Sequence, residues 1–418
     1  MNDRSSRRWQ RARGLLSLAA APALALSANS AAAAADDTLT LRWKDGLRVE
    51  SADGRIQAKL GGRIQLDGLV GNFSDQAELE LGRSDGSGVI FRRARINLEA
   101  SFSDFLFKAE YDFAGGSGDA NFRDVYLGVR NLPCSSTLQI GHFKEPFSLD
   151  QLTSDNYVTF LERNLADNFA PARNTGVMWT TLPHEGRMTW ALGGFREVGE
   201  FGDDYDDNDT WNITTRVTGL PIASEDGSRL LHLGVGYSHK FTDEDESYRV
   251  RARPGVQIPD RLFDTMLFPT ANVDLFGAEG AVVVGPASLQ AEYIHALVDG
   301  DEGLQRNVDF WGSYVEASVF VTPGDRRAYK REAGAFDRIK PVKPFSLSGG
   351  TGAVQVAARF DFIDLEDKNI SGGRGWTVGP AVNWYLTSHL RLVGNYVHGR
   401  REGDGVFNGG GVRFQVDY

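Results

Sequence analysis

The chain has 418 residues, 48 of them glycine, and a formal net charge of -11. An acidic chain is poorly suited to neutralising a phosphodiester backbone, so no nucleic-acid partner is expected. The single cysteine, Cys134, excludes an intrachain disulfide, and beyond the first 35 residues there is no apolar run of the roughly 18 to 20 residues that a spanning helix needs.

Taken in order, Met1 to Ala35 reads as a cleaved export signal. It has five arginines between Arg4 and Arg13, an apolar run from Gly14 to Leu26, and small residues from Ala31 to Ala35. Its removal, which also takes Asp3, leaves 36–418 with a charge of about -15. No linker or shift in composition divides 36–418, which predicts a single domain.

The first candidate strand, Arg55 to Val70, places Arg55, Gln57, Lys59, Arg63, Gln65 and Asp67 on one face and Ile56, Ala58, Leu60, Ile64 and Leu66 on the other. The same period of two runs through FRRARINLEASFSDFLFKAEYDF, Phe91 to Phe113. Here Arg93, Arg95, Asn97 and Glu99 oppose Ile96, Leu98 and Ala100. After a tight turn at Ser103-Asp104, Lys108, Glu110 and Asp112 oppose Phe107, Ala109, Tyr111 and Phe113. With 91–101 and 105–113, further strands fall near 121–130, 137–143, 175–182, 187–196, 210–219, 229–241, 271–284, 287–298, 308–322, 351–363, 374–386, 389–399 and 411–418, sixteen in all.

The connectors alternate. Short turns such as Pro183 to Gly186, Gly285-Pro286 and Leu386 to Ser388 interleave with longer, acidic loops such as Glu197 to Asp209 and Thr242 to Thr270. An even strand number with short turns at one end and long loops at the other predicts an all-β fold, a sixteen-stranded antiparallel transmembrane β-barrel with both termini on the periplasmic side. The apolar faces then meet lipid and the charged faces line a water-filled lumen. The final strand, GVRFQVDY, alternates and ends on Tyr418, like the signal by which the barrel-assembly machinery recognises its clients. Trp179, Trp190, Trp211, Trp311, Trp376 and Trp384 sit where interfacial girdles would form.

Two connectors stand out. Glu145 to Thr175 carries Phe147, Leu149, Leu152, Tyr157, Phe160, Leu161, Leu165 and Phe169, too apolar for a loop in water, and is expected to fold into the barrel and narrow it. Thr322 to Gly350 is a long periplasmic turn in which Arg326, Arg327, Lys330, Arg331, Arg338, Lys340 and Lys343 outnumber Asp325, Glu332 and Asp337. The bland alternative for that cluster is a solvated turn.

FRRARI, the stretch GHFKEPFSLDQLTSDNYVTFLERNLADNFAPARNTGV, AYKREAGAFDRIKP and VNWYL together resemble the phosphate-selective porin O and P family, in order and spacing, over essentially all of 36–418. The resemblance implies a homotrimer of barrels in outer-membrane lipid, an inward-folded third loop, and a path of basic residues for inorganic phosphate or polyphosphate anions, with no cofactor and no metal. Carried over by position, Arg92 and Arg93 match the family's constriction pair, and Lys330 and Lys340 match two lysines of its periplasmic ladder. The chain also departs from the pattern. Gln151 replaces an expected third-loop lysine, while Arg95 and Lys144 stand where aromatics are expected, so one cation is lost and two are gained. Arg92, Arg93, Arg95 and Lys144 are therefore the expected anion-binding constriction, with Gln151 as the altered third-loop position.

The physics is consistent with this. Charges in a water-filled pore are screened over about 8 to 10 Å, so selectivity is made where loop and wall bring several guanidinium groups close together. Arginine stays charged and matches oxyanions in a planar fork. The competing assignment for Arg93 and Arg95 is ion pairing with Glu99, Glu110 or Asp124, and the acids are expected mostly on outer loops. A general or sugar-permeable diffusion porin with weak ion selectivity is the alternative function. An enzyme is disfavoured, because His142, His232, His295 and His398 are scattered and no GxSxG occurs. A secreted β-adhesin, or Ca²⁺ held by Asp203 to Asp209, has less support, the acids lacking a fixed ligand spacing.

Overall fold

The computed structural model describes residues 38–82, 84–114, 120–199, 201–203, 210–242, 247–257, 261–300 and 307–418. The expected export signal, 1–35, and the acidic stretches 204–209 and 243–246 lie outside the described residues.

A short hairpin opens the described chain, β1 (Leu39–Trp43) and β2 (Leu47–Ser51). Sixteen long strands follow. The first eight are β3 (Ile56–Phe73), β4 (Gly86–Phe102), β5 (Phe105–Asp112), β6 (Asn121–Leu132), β7 (Ser136–Lys144), β8 (Arg173–Thr181), β9 (Met188–Arg196) and β10 (Trp211–Ala223). The second eight are β11 (Arg229–Phe241), β12 (Asn272–Val284), β13 (Ala287–Asp299), β14 (Val308–Phe320), β15 (Ala353–Asp367), β16 (Ile370–Tyr385), β17 (Leu390–Arg401) and β18 (Gly405–Asp417). Each pairs antiparallel with its sequence neighbours. The ladder from Arg63↔Asp417 to Phe73↔Phe407 joins the last strand to β3 and closes the barrel.

Sequence alternation dictates which face is inside. On β3 and β4 the apolar Ile64, Val70, Phe91, Ile96 and Leu98 are exposed, while Gln65, Asp67, Arg93, Arg95 and Asn97 are buried. This inversion of a soluble protein puts the polar set on the inner wall. Aromatics gather on the outer face, with Trp311 stacked on Phe362 and Trp179 set edge-on to Trp190.

The closing seam is tied from within. Arg413 donates from Nε and Nη2 to the two oxygens of Asp67, both at 2.7 Å, and Gln65 Nε2 donates to Gln415 Oε1 at 2.9 Å. Below the seam, β2 pairs with residues 57–60 of β3, and Gly62 and Tyr418 exchange both backbone hydrogen bonds at 3.0 Å.

Three features differ from the sequence reading. The β1–β2 hairpin was not expected, being too short to show a period. The last strand begins at Gly405, because a glycine-rich lead-in, Gly405 to Gly411, hides its alternation. Thr242 to Thr270, expected as an acidic outer loop, contains Val250, Ala252, Val256, Leu262, Phe263 and Phe268, which are buried in one apolar cluster with Leu275, Phe310 and Val397 of the wall. Two small ladders, 247–248 with 268–269 and 251–252 with 263–264, satisfy part of its backbone while those side chains leave water.

Candidate functional site

The site grows from an irregularity in β4. Gln65 pairs with Arg93 and Leu66 with Phe91, so Arg92 is an extra residue, a β-bulge that turns two consecutive arginines to the same side. In a regular strand they would point apart. Arg92 binds Glu162 through Nε at 2.7 Å and Nη2 at 2.9 Å. Arg93 lies 3.1 Å from Asp155 through Nε and donates to Gln65 Oε1 at 2.7 Å. Two residues on, Arg95 donates to Asp112 at 2.7 Å, Glu110 at 3.0 Å and Asp155 at 3.2 Å.

Asp155 and Glu162 belong to the segment between β7 and β8. This segment is held by hydrogen bonds to buried polar side chains of many strands. Leu149 and Asp150 N–H donate to Glu292 at 2.9 and 2.7 Å, and Leu165 N–H donates to Asp361 at 3.2 Å. Arg359, Arg391 and Arg413 donate to the carbonyls of Glu162, Thr159 and Leu161 at 3.0, 3.0 and 2.8 Å. Glycines make room for its rings. Gly236 and Gly277 are cross-strand partners, and a Cβ on either would stand 3.0 Å from the Phe147 ring. A Cβ on Gly312 would likewise meet Ala166 and Phe169 at 3.0 Å.

The expected residues are thus only partly brought together. Arg92, Arg93 and Arg95 converge on the acids of one segment. Lys144 joins them indirectly, because its Nζ donates to the backbone carbonyl of Gln151, so the gained cation rests on the very residue where one was lost. Lys330 is exposed and, with Arg63, Arg95, Lys108, Lys144 and Arg338, lines a polar cavity of about 390 Å³ that Asp155, Glu110 and Asp124 also reach. Lys340 is exposed and does not line it.

The competing assignment of ion pairing holds for Arg95, which meets Glu110, whereas Arg93 meets Asp155 and none of the three acids expected. Acids are not confined to loops: Asp67, Glu110, Asp112, Asp124 and Asp361 line the inner wall. They do so because each faces an arginine or lysine that would otherwise be buried alone. Several serve more than one cation. Glu110 takes Arg63 at 3.1 Å besides Arg95, Asp124 takes Arg173 at 2.7 Å and Lys108 at 2.9 Å, and Asp155 takes Arg93, Arg95 and Arg163.

Asp155, Glu162 and Arg163 were not singled out from sequence, where they are three charges in a mixed loop. The available signal was ionic residues inside an otherwise apolar connector. Burial alone would raise the Glu162 carboxyl, but Arg92, Arg93 and Arg413 outweigh it and bring it down to about 2. Asp155 is likewise held well below the usual carboxylate range, burial opposing and Arg93, Arg163 and Arg95 prevailing.

The long turn 322–350 is anchored too. Its strands 328–330 and 335–337 pair, Phe336 packs with Leu149, Leu220 and Val283, and Phe336 N–H donates to Thr153 Oγ1 at 3.3 Å. Arg338 pairs with Asp417, and Arg327 lies over the Phe336 ring. It is not simply a solvated turn.

Residues 58–418 match the family described as phosphate-selective porin O and P. Porin O of Pseudomonas aeruginosa is 27% identical over 92% of this chain and 93% of its own length. An anion-selective porin from Comamonas acidovorans superimposes with a TM-score of 0.55 at 15% identity, over 87% of this chain and all of that one. OmpT of Vibrio cholerae in its trimer form gives 0.54 at 14% identity, over 87% of this chain and 99% of that one.

Proposed function

Because the chain belongs to the phosphate-selective porin O and P family, we propose that it forms a water-filled, anion-selective channel for the passive uptake of phosphate or polyphosphate-like anions. Family and barrel together make it an outer-membrane porin, a channel rather than an enzyme. The finer reading places the segment 145–175 within the lumen as the constriction, with Arg92, Arg93, Arg95 and Lys144 as its cations and Lys330 and Lys340 as vestibule cations. Three barrels then assemble as a trimer.

The observation that carries anion preference is the lining of the polar cavity. Eight lysine and arginine side chains line it against six aspartates and glutamates, so its basic side chains outnumber its acidic ones although the whole chain is acidic. Local lumen charge, not total charge, sets permeation.

A second reading, a general or sugar-permeable diffusion channel with weak ion selectivity, is favoured by one observation: the arginines at the constriction are all engaged by carboxylates. The deciding experiment is the single-channel reversal potential in a KCl gradient, repeated with added phosphate and pyrophosphate. A chloride-favouring potential with block of the current by phosphate supports the proposal. A weakly selective channel that phosphate leaves unblocked supports the second reading, and a cation-favouring potential overturns both.

A further inference from the structure

The carboxylate of Asp155 is held by three guanidinium groups at once. Oδ2 lies 3.1 Å from Arg93 Nε and accepts from Arg95 Nη1 at 3.2 Å, while Oδ1 accepts from Arg163 Nη2 at 2.7 Å. Three planar forks converging on one point are what a free oxyanion would also take, since each of its oxygens accepts in the plane of a guanidinium.

The seat is not otherwise saturated. Arg95 has Glu110 and Asp112, and Arg163 has Asp167 at 3.7 Å and Asp150 at 3.9 Å. For Arg93, however, Asp155 is the sole ion-pair partner among the described residues. Arg163 Nη1 is buried without a hydrogen-bond acceptor, Asp150 Oδ1 being 3.9 Å away, so the seat keeps a spare donor even with the aspartate in place. Asp155 and Arg95 both reach the wall of the polar cavity, where a crossing solute meets them.

We propose that Asp155 is a specificity-determining residue, a tethered counter-ion that fills the oxyanion seat of Arg93, Arg95 and Arg163, so that phosphate binds there only by displacing it. The inference rests on the anion-channel reading and adds to it a built-in limit on affinity. A carboxylate carried on the chain competes at an effective concentration on the order of millimolar or more. Dilute phosphate therefore crosses without lodging, and a channel that releases its ion readily keeps its throughput.

The test is block of chloride current by inorganic phosphate in planar bilayers, using the full-length porin and the variants Asp155→Asn, Asp155→Ser and Arg93→Gln, each also scored for its KCl reversal potential. Vacating the seat is expected to lower the half-blocking phosphate concentration at least tenfold in Asp155→Asn and Asp155→Ser, and to move the reversal potential towards chloride. Adding Arg93→Gln to Asp155→Asn should cancel that gain. In the otherwise unaltered channel, Arg93→Gln should weaken block by a smaller factor than it does in Asp155→Asn, because there it weakens the tether as well as the phosphate. Unchanged or weaker block in both Asp155 variants overturns the proposal. Should neither assemble, Asp155→Glu decides, since its longer side chain keeps the charge but no longer fits the seat: a lower half-blocking phosphate concentration supports the proposal, and an unchanged or higher one overturns it. Failure of the anion-channel reading looks different: it is a cation-favouring potential in the unaltered protein, whatever the variants do.

Discussion

Arg92 and Glu162 form a bidentate pair, Nε and Nη2 of the arginine each donating to a different carboxylate oxygen, at 2.7 and 2.9 Å. The pair joins a bulge in the wall to the middle of the segment that narrows the pore in the proposed function. Glu162→Gln keeps the shape and loses the charge, leaving Arg92 half-buried with a poorer partner. Breaking one side of a fully buried pair costs about 3 to 5 kcal/mol, and a fraction of that is expected for this half-buried one, as lower thermal stability. Released from the wall, the segment should also let more current through. The check is thermal unfolding in detergent together with single-channel conductance. A variant with the parent's melting temperature and a quiet, unchanged conductance would show that the pair holds nothing.

Phe147 gives a second, apolar handle on the same segment. Its ring needs bare backbone at Gly236 and Gly277, and a valine at Gly277 would put a branched side chain where 3.0 Å separates a mere Cβ from the ring. Gly277→Val is expected to unseat the ring and raise conductance, whereas Gly280→Ala, whose Cβ would meet its neighbours at 3.7 Å, should be nearly silent. Equal effects from the two would indicate a general defect of β12 and not a lost seat.

The pH dependence follows from Glu162, whose carboxyl is lowered to about 2 by Arg92 against the pull of burial. An acid with a folded pKa below its unfolded value of about 4.3 contributes stability above the unfolded value and loses it as pH falls through the folded one. The contribution of Glu162 to anchorage should therefore be constant from about pH 5 to 8 and fade only between roughly pH 4 and 2, by about 3 kcal/mol in all. Conductance or proteolysis of 145–172 followed across that range tests it. Loosening that begins near pH 6 would assign the anchorage to other groups.

How far the sequence reached is clear from particular residues. All sixteen barrel strands were legible because one residue in two must meet lipid and the next must meet polar groups, and Ile64, Gln65, Leu66 and Asp67 show that alternation without ambiguity. The bulge at Arg92 was not legible, since FRRARI reads as a strand in either register and only the pairing of Gln65 with Arg93 and Leu66 with Phe91 reveals the extra residue. The apolar content of 145–175 was legible, but not which wall side chains receive it. Those partners, Glu292, Asp361 and Arg413, lie more than a hundred residues away. The packing of Val250 to Phe268 escaped for a different reason. Its apolar residues are spaced by arginines, and the neighbouring acids dominate the composition.

Position along the pore separates two kinds of cation. Arg93→Ala removes a charge where the wall approaches Asp155, and it leaves that carboxylate with two arginines instead of three. The reversal potential in a KCl gradient should move towards cations even in concentrated salt. Lys330→Ala removes an exposed charge from the edge of a wet cavity, where screening over about 8 to 10 Å limits its reach. Its effect should be a fall in conductance at low salt that disappears at about 1 M, where the screening length is about 3 Å. If Lys330→Ala shifts the potential as much as Arg93→Ala at high salt, the two sites do not differ in the way proposed.

The seam between β3 and β18 sets the timetable of assembly. Gln65 and Gln415 are 350 positions apart, and Asp67 and Arg413 are 346 apart, so no contact that seals the cylinder exists until almost the whole chain is available. Closing a loop of that length costs about 5 kcal/mol in chain entropy before any hydrogen bond repays it. Every earlier ladder joins neighbours and forms locally, which leaves a curved, open sheet with two raw edges waiting for each other. The buried Arg413–Asp67 pair and the Gly62–Tyr418 backbone bonds then act as the clasp. Shortening the chain by its last few residues should leave the strands paired but the cylinder unsealed, a species recognisable as slow to mature and readily cut by proteases.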